Sequence, residues 1–187
     1  YKMLDLDPKP FSNVKYFYPY NKDFPTTYAL KDDVNSQIKL GKAFQFKYIF
    51  EDDKDNIDLL FSNVDDPTQT MESIVNYIST EQGKFGGITN WKELLTEIHE
   101  YTKKGDTGKD KEITIASWRK FYRLFKKTID KSSIFASRLG DGEVRLQEQI
   151  KNIQKNQIYV IDVAKLDEET QGFVFGDVMR AVYDLKL

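Results

Sequence analysis

The densest chemistry in the chain is cationic: Arg119, Lys120, Arg123, Lys126, Lys127 and Lys131 crowd into residues 119–131. Trp118, Phe121, Tyr122, Phe125 and Ile129 recur through the same stretch at i, i+3, i+4, i+7 and i+11. An α-helix would therefore gather the aromatics on one arc and turn the cations outward. Such a row of cations is first of all what a solvated helix face over a buried stripe looks like, and the sharper reading is a surface that docks on phosphate backbone or on an acidic partner. A second candidate is Asp162, which follows the apolar run Ile158, Tyr159, Val160, Ile161. A carboxylate at the carboxyl end of a buried parallel strand points toward the crevice where such sheets bind ligands, and it can help to hold magnesium. Val163 takes the place where a second acidic residue would polarise water. That favours a sheet-end structural role for Asp162 over a metal ligand.

Other constellations fail on spacing. Only two residues separate Gly105 from Gly108, and Lys109 is followed by Asp110. A phosphate-binding loop needs four residues between its glycines and a hydroxyl after its lysine. Ser117 with Lys120 and Ser36 with Lys39 match a Ser-x-x-Lys spacing but lack the companion motifs of acyl enzymes. His99 is the single histidine and lies off the apolar stripe of its own predicted helix, and there is no cysteine. The acidic run 51–55 lacks the glycine and closing glutamate of a calcium loop and reads as a solvated turn. No residue is assigned as catalytic, cofactor-binding or metal-ligating.

The elements that would carry these residues are α/β in pattern. Of the 187 residues, 40% are hydrophobic and 14% aromatic, enough for a core, and the net charge of −2 argues against a surface devoted wholly to nucleic acid. Residues 14–18 predict a strand stopped by Pro19, and residues 43–50 a second one that begins with alternation and ends apolar. From 51 to 155 the pattern is helical. Asp66 is expected to cap a helix with Pro67 in its first turn and Gln69 reaching back, and Asn90 to cap another through Tyr101. The basic helix follows, and residues 143–153 predict a further one. Residues 158–163 predict the central strand of a parallel sheet, buried on both faces. Asp167 is then expected to cap a mostly buried helix bearing Val174, Val178, Ala181, Val182 and Leu185, with Phe173, Phe175 and Met179 widening its stripe. No membrane-length apolar run is present.

Residues 1–11 (Tyr1, Lys2, Met3, Leu4, Asp5, Leu6, Asp7, Pro8, Lys9, Pro10, Phe11), followed by Val14, Lys15, Tyr16, Phe17, Tyr18, Pro19 and Tyr20, resemble the segment shortly after the phosphate loop in bacterial HerA/FtsK-type P-loop ATPases. Tyr159 to Val163, with Leu166, Gln171, Val174, Gly176, Asp177, Val178 and Arg180, are similar to the strand and helix that precede the Walker B strand there. The resemblance implies an internal segment of such an ATPase, carrying part of a RecA-like parallel sheet. Residues 1–50 and 156–187 would belong to the ATPase core, and residues 51–155 would form an inserted helical subdomain. The phosphate loop, Walker B pair and arginine finger would lie outside the stretch, so no cofactor is expected in this segment. The resemblance implies ATP and magnesium for the parent, which would be a cytoplasmic, hexameric, DNA-translocating motor whose other parts are this chain's partners. From another class, the chain would be an interaction module docking protein or nucleic acid through residues 119–131.

Overall fold

A computed structural model describes residues 11–80, 83–104 and 113–185 of the chain. It is an α/β protein built on a parallel sheet. Strands β1 (Val14–Pro19), β2 (Ala43–Phe46), β5 (Glu143–Val144) and β6 (Ile158–Ile161) make a four-stranded sheet in the order β5-β2-β1-β6. All of its pairings are parallel, with Phe17 opposite Phe44 on one side and Ile161 on the other, and Phe46 opposite Val144. Two shorter strands, β3 (Tyr48–Ile49) and β4 (Phe135–Ala136), pair parallel beside it. The helices are α1 (Lys31–Lys39), α2 (Phe50–Asp53), α3 (Thr70–Ser79), α4 (Trp91–Lys104), α5 (Ile115–Lys131), α6 (Leu146–Lys151) and α7 (Glu168–Asp184), with a 3-10 helix over Lys54–Phe61.

Alternation in β1 sends its residues to two unequal faces. Phe17 is fully buried in the main core, whereas Tyr18 joins a small second cluster with Val34 of α1 and Ala43. The main cluster runs from Phe17 and Phe46 through Phe61, Ile74, Leu94, Ile98, Trp118 and Phe125 to Phe173. The sheet and the helices of residues 51–155 thus share one hydrophobic core. Caps fix three of the helices. The Asn90 side-chain oxygen accepts from the backbone N–H of Lys92 and Glu93 at 3.1 and 3.0 Å, Thr114 from Ser117 at 3.2 Å, and Asp167 from Thr170 at 3.2 Å. Among the described residues no helix is long and apolar enough to cross a membrane.

Several expectations are corrected. The β6 strand is an edge strand, not a central one: β1 occupies one flank, no described strand occupies the other, and Val160 is left exposed. The expected strand over 43–50 breaks at Lys47, whose backbone N–H turns to Val144 O at 3.0 Å, and Phe50 already starts α2. Residues 143–153 divide into β5 and α6, because Glu143 and Val144 pair with Gln45 and Phe46 before the chain can coil. The helix expected from Asp66 starts at Thr70: Gln69 is left-handed, with φ of 52°, and Asp66 accepts from Met71 N at 2.6 Å from outside the helix. Helix α7 is buried on one face only: Phe173, Val174, Asp177 and Ala181 are buried, whereas Phe175, Met179, Val182 and Tyr183 are exposed.

Candidate functional site

The carboxyl ends of the parallel strands bring together Lys47 after β2, Arg145 after β5 and Asp162 after β6. Lys47 is nearly buried. Its ammonium pairs with Glu143 at 2.5 Å and sits 3.6 Å from the centre of the Tyr20 ring, a cation–π contact. Asp162 is half-buried, with both carboxylate oxygens engaged: Oδ1 accepts from Ala164 N at 3.0 Å, and Oδ2 accepts from the Thr27 hydroxyl. Its own N–H continues the ladder to Phe17 O at 2.9 Å. Asp162 therefore ties the loop after β1 to the end of β6.

Arg145 spans to the acidic run 51–55. Its guanidinium donates to Asp53 Oδ1 at 2.8 Å, to Asp52 O at 3.2 Å and to Glu148 at 3.1 Å. The expectation of a wholly solvated turn is corrected here, because Asp53 is buried and its other oxygen caps Ile49 N at 2.5 Å. Burial pushes the Asp53 carboxyl above its usual value, and Arg145 pulls it back.

Next to this pair lies a buried carboxylate that forms no ion pair among the described residues. Asp177, on the inner face of α7, accepts from Tyr48 Oη at 3.0 Å, from Asn56 Nδ2 at 2.9 Å and from Gln147 Nε2 at 2.6 Å. Three elements, β3, the 3-10 helix and α6, thus converge on one side chain of a fourth. Arg180 reaches it only through Asn56, whose Oδ1 takes a guanidinium N–H at 2.8 Å. Desolvation raises the Asp177 carboxyl above its usual range, and desolvation with the Asp177 charge raises the Tyr48 phenol well above 10.

The six cations of α5 do share one helix, but three are already engaged. Arg119 Nε donates to Thr102 O at 3.2 Å, Lys126 pairs with Asp130, and Lys127 pairs with Glu169 of α7, lowering that carboxyl to about 2. Lys120, Arg123 and Lys131 make no ion pair among the described residues. The Ser117 hydroxyl shares a hydrogen bond with Thr114 at 2.9 Å, which is capping geometry and not that of a nucleophile. His99 stacks on Tyr122 with ring centres 4.9 Å apart. Gly105, Gly108 and Lys109, with Tyr1 to Pro10, lie outside the described residues.

The groups missed in the sequence are Lys47, Asp53, Arg145 and Asp177. For Asp177 a signal existed: it falls four residues after Phe173 and four before Ala181, on the buried arc of its helix. Among the described residues no group of three or more His, Asp or Glu side chains could hold a metal ion. At this end of the sheet Lys47 pairs with Glu143 and Arg145 with Asp53 and Glu148, while Asp162 bonds to Thr27 and Ala164, and these contacts hold elements in place. What the fold defines is an α/β protein with an all-parallel four-stranded sheet. Comparison with protein families, with curated proteins and with solved structures finds no match.

Proposed function

We propose that this chain is part of the core of a HerA/FtsK-type, RecA-like ATPase, a cytoplasmic hexameric motor that moves along or remodels DNA. Residues 51–155 would be a helical insertion in that core, and ATP and magnesium would bind elsewhere in the same protein. The observation that carries the proposal is the parallel pairing of β6 with β1, in register from Val14 opposite Ile158 to Phe17 opposite Ile161. Strands from the two ends of the chain come together as neighbours across the whole helical stretch, which a core interrupted by an insertion requires. Residues 1–187 alone should show no change in melting temperature with ATP and magnesium. A saturable shift at micromolar nucleotide would overturn the proposal.

One observation favours a second reading, a module that docks nucleic acid or an acidic protein through α5: Lys120, Arg123 and Lys131 stand free of ion pairs among the described residues. Charge reversal of those three residues separates the two. Loss of DNA binding with the fold intact supports the module, and unchanged behaviour supports a solvated face.

A further inference from the structure

Four of the cations of α5 form a row. At about 100° and 1.5 Å per residue, Arg123, Lys127 and Lys131 follow one another roughly 6 Å apart, and with Lys120 they lie within an arc of about 80°. Arg123, Lys127 and Lys131 are exposed and Lys120 is half-buried. Lys126, on the flank of the row, is matched by Asp130 of the same helix. Within the row Lys127 alone has an anionic partner among the described residues: Glu169, in the first turn of α7. The row is thus interrupted in its interior by a carboxylate brought from another helix.

We infer that the row Lys120, Arg123, Lys127 and Lys131 takes the phosphate backbone of a nucleic acid, and that Glu169 holds Lys127 until a phosphate displaces it. This inference rests on the α5 docking reading and adds to it the class of partner and a built-in restraint on binding. A sugar–phosphate backbone repeats its charge with every nucleotide, so it meets each cation of an evenly spaced row, whereas the carboxylates of a folded acidic protein have no such repeat. Glu169 is the nearest the chain itself comes to a phosphate. Its carboxyl, lowered to about 2 chiefly by the hydrogen bond from Lys127, stays ionised at neutral pH and keeps its hold. That hold is weak, because the two side chains are 46 and 29% exposed and water and salt reach the pair. A polyanion already engaged by the other three cations therefore displaces Glu169.

The ion pair can be broken from either side, and the two sides make opposite demands. Anisotropy of a fluorescein-labelled DNA duplex of about 20 base pairs, titrated with the full chain at about 50 to 200 mM salt, reads the affinity and, from its salt dependence, the number of phosphates met. Glu169→Gln frees Lys127 and should bind about two- to fivefold tighter. Lys127→Gln should bind more weakly, with a salt dependence shallower by about one phosphate. Glu168→Gln removes the same charge next door, where no ion pair is formed among the described residues, and should give less than half the gain of Glu169→Gln. The circular dichroism of all three should match that of the parent. Three results overturn the inference: Glu169→Gln and Lys127→Gln shifting affinity in the same direction, which marks the pair as merely structural; Glu168→Gln gaining as much as Glu169→Gln; or poly-glutamate binding more tightly than the duplex, which assigns the row to an acidic protein. Absence of duplex binding at 50 mM salt, or binding that charge reversal of Lys120, Arg123 and Lys131 leaves untouched, removes the docking reading itself along with it.

Discussion

Asp177 allows two substitutions, one that deletes its carboxyl group and one that keeps its shape, with different expected outcomes. In Asp177→Ala the donors of Tyr48, Asn56 and Gln147 lose their acceptor. Tyr48 and Asn56 are buried and cannot turn to water, whereas the half-buried Gln147 can. Each stranded buried donor costs about 1 to 3 kcal/mol, and relief from burying an ionised carboxylate returns part of that, leaving a net loss of about 3 kcal/mol. In Asp177→Asn the network can close again. The oxygen keeps the bonds from Asn56 and Gln147, while the new amide donates to Tyr48 Oη, which reverses its role. Its cost should be about 1 kcal/mol, well below that of Asp177→Ala, because the hydroxyl hydrogen of the reversed Tyr48 is the one buried donor left to find an acceptor, where Asp177→Ala strands two. Urea denaturation at pH 7, followed by the fluorescence of the buried Trp91 and Trp118, measures both. A loss in Asp177→Asn equal to that in Asp177→Ala would refute the reasoning, since it would mean that the negative charge itself holds α7.

Removing Arg145 should be more damaging than its half-buried position suggests, because Asp53 would keep its charge without a counterion. Arg145→Met is expected to lose about 3 to 5 kcal/mol, and pairing it with Asp53→Asn should recover most of that in the same denaturation assay. Stability should also depend on pH in two opposing ways. Asp53 and Asp177 titrate above the ordinary 3.8 in the fold, so there the native state holds the extra protons, and stability rises as pH falls toward that window. Glu169 is lowered from 4.5 to about 2, so its stabilising contribution is complete above 4.5 and is lost as pH falls toward 2. Asp177→Asn should flatten the first limb and leave the second; melting temperatures across pH 2 to 8 read both. Charge reversal at Lys120, Arg123 and Lys131 should change the unfolding free energy by less than about 0.5 kcal/mol per site, because their cationic ends form no ion pair among the described residues.

Long elements with a clean period were legible. The arc of Trp118, Phe121, Phe125 and Ile129 is buried as spaced, and Asn90 and Asp167 cap where expected. That β6 is a strand of a parallel sheet follows from its apolar run, but its neighbour β1 and its position in the sheet do not, since these are settled by residues far away. The two-residue strands β3, β4 and β5 are too short for any period to register. Lys47 and Asp53 looked like surface residues because their partners, Glu143 and Arg145, lie more than ninety positions along the chain. On α7 the apolar residues cover nearly every direction. Periodicity there could not say which arc faces the core, and Asp177, the most polar residue of the inner arc, turned out to be fully buried.

We propose for this chain a place in a DNA-dependent ATPase core. Its most direct test is ATP hydrolysis by the protein at its native length, purified from its own cells and assayed with and without double-stranded DNA. Magnesium-dependent hydrolysis that DNA accelerates is the predicted result. Absence of hydrolysis under both conditions, from protein whose circular dichroism shows it folded, would contradict the account and leave the α5 docking module as the better reading.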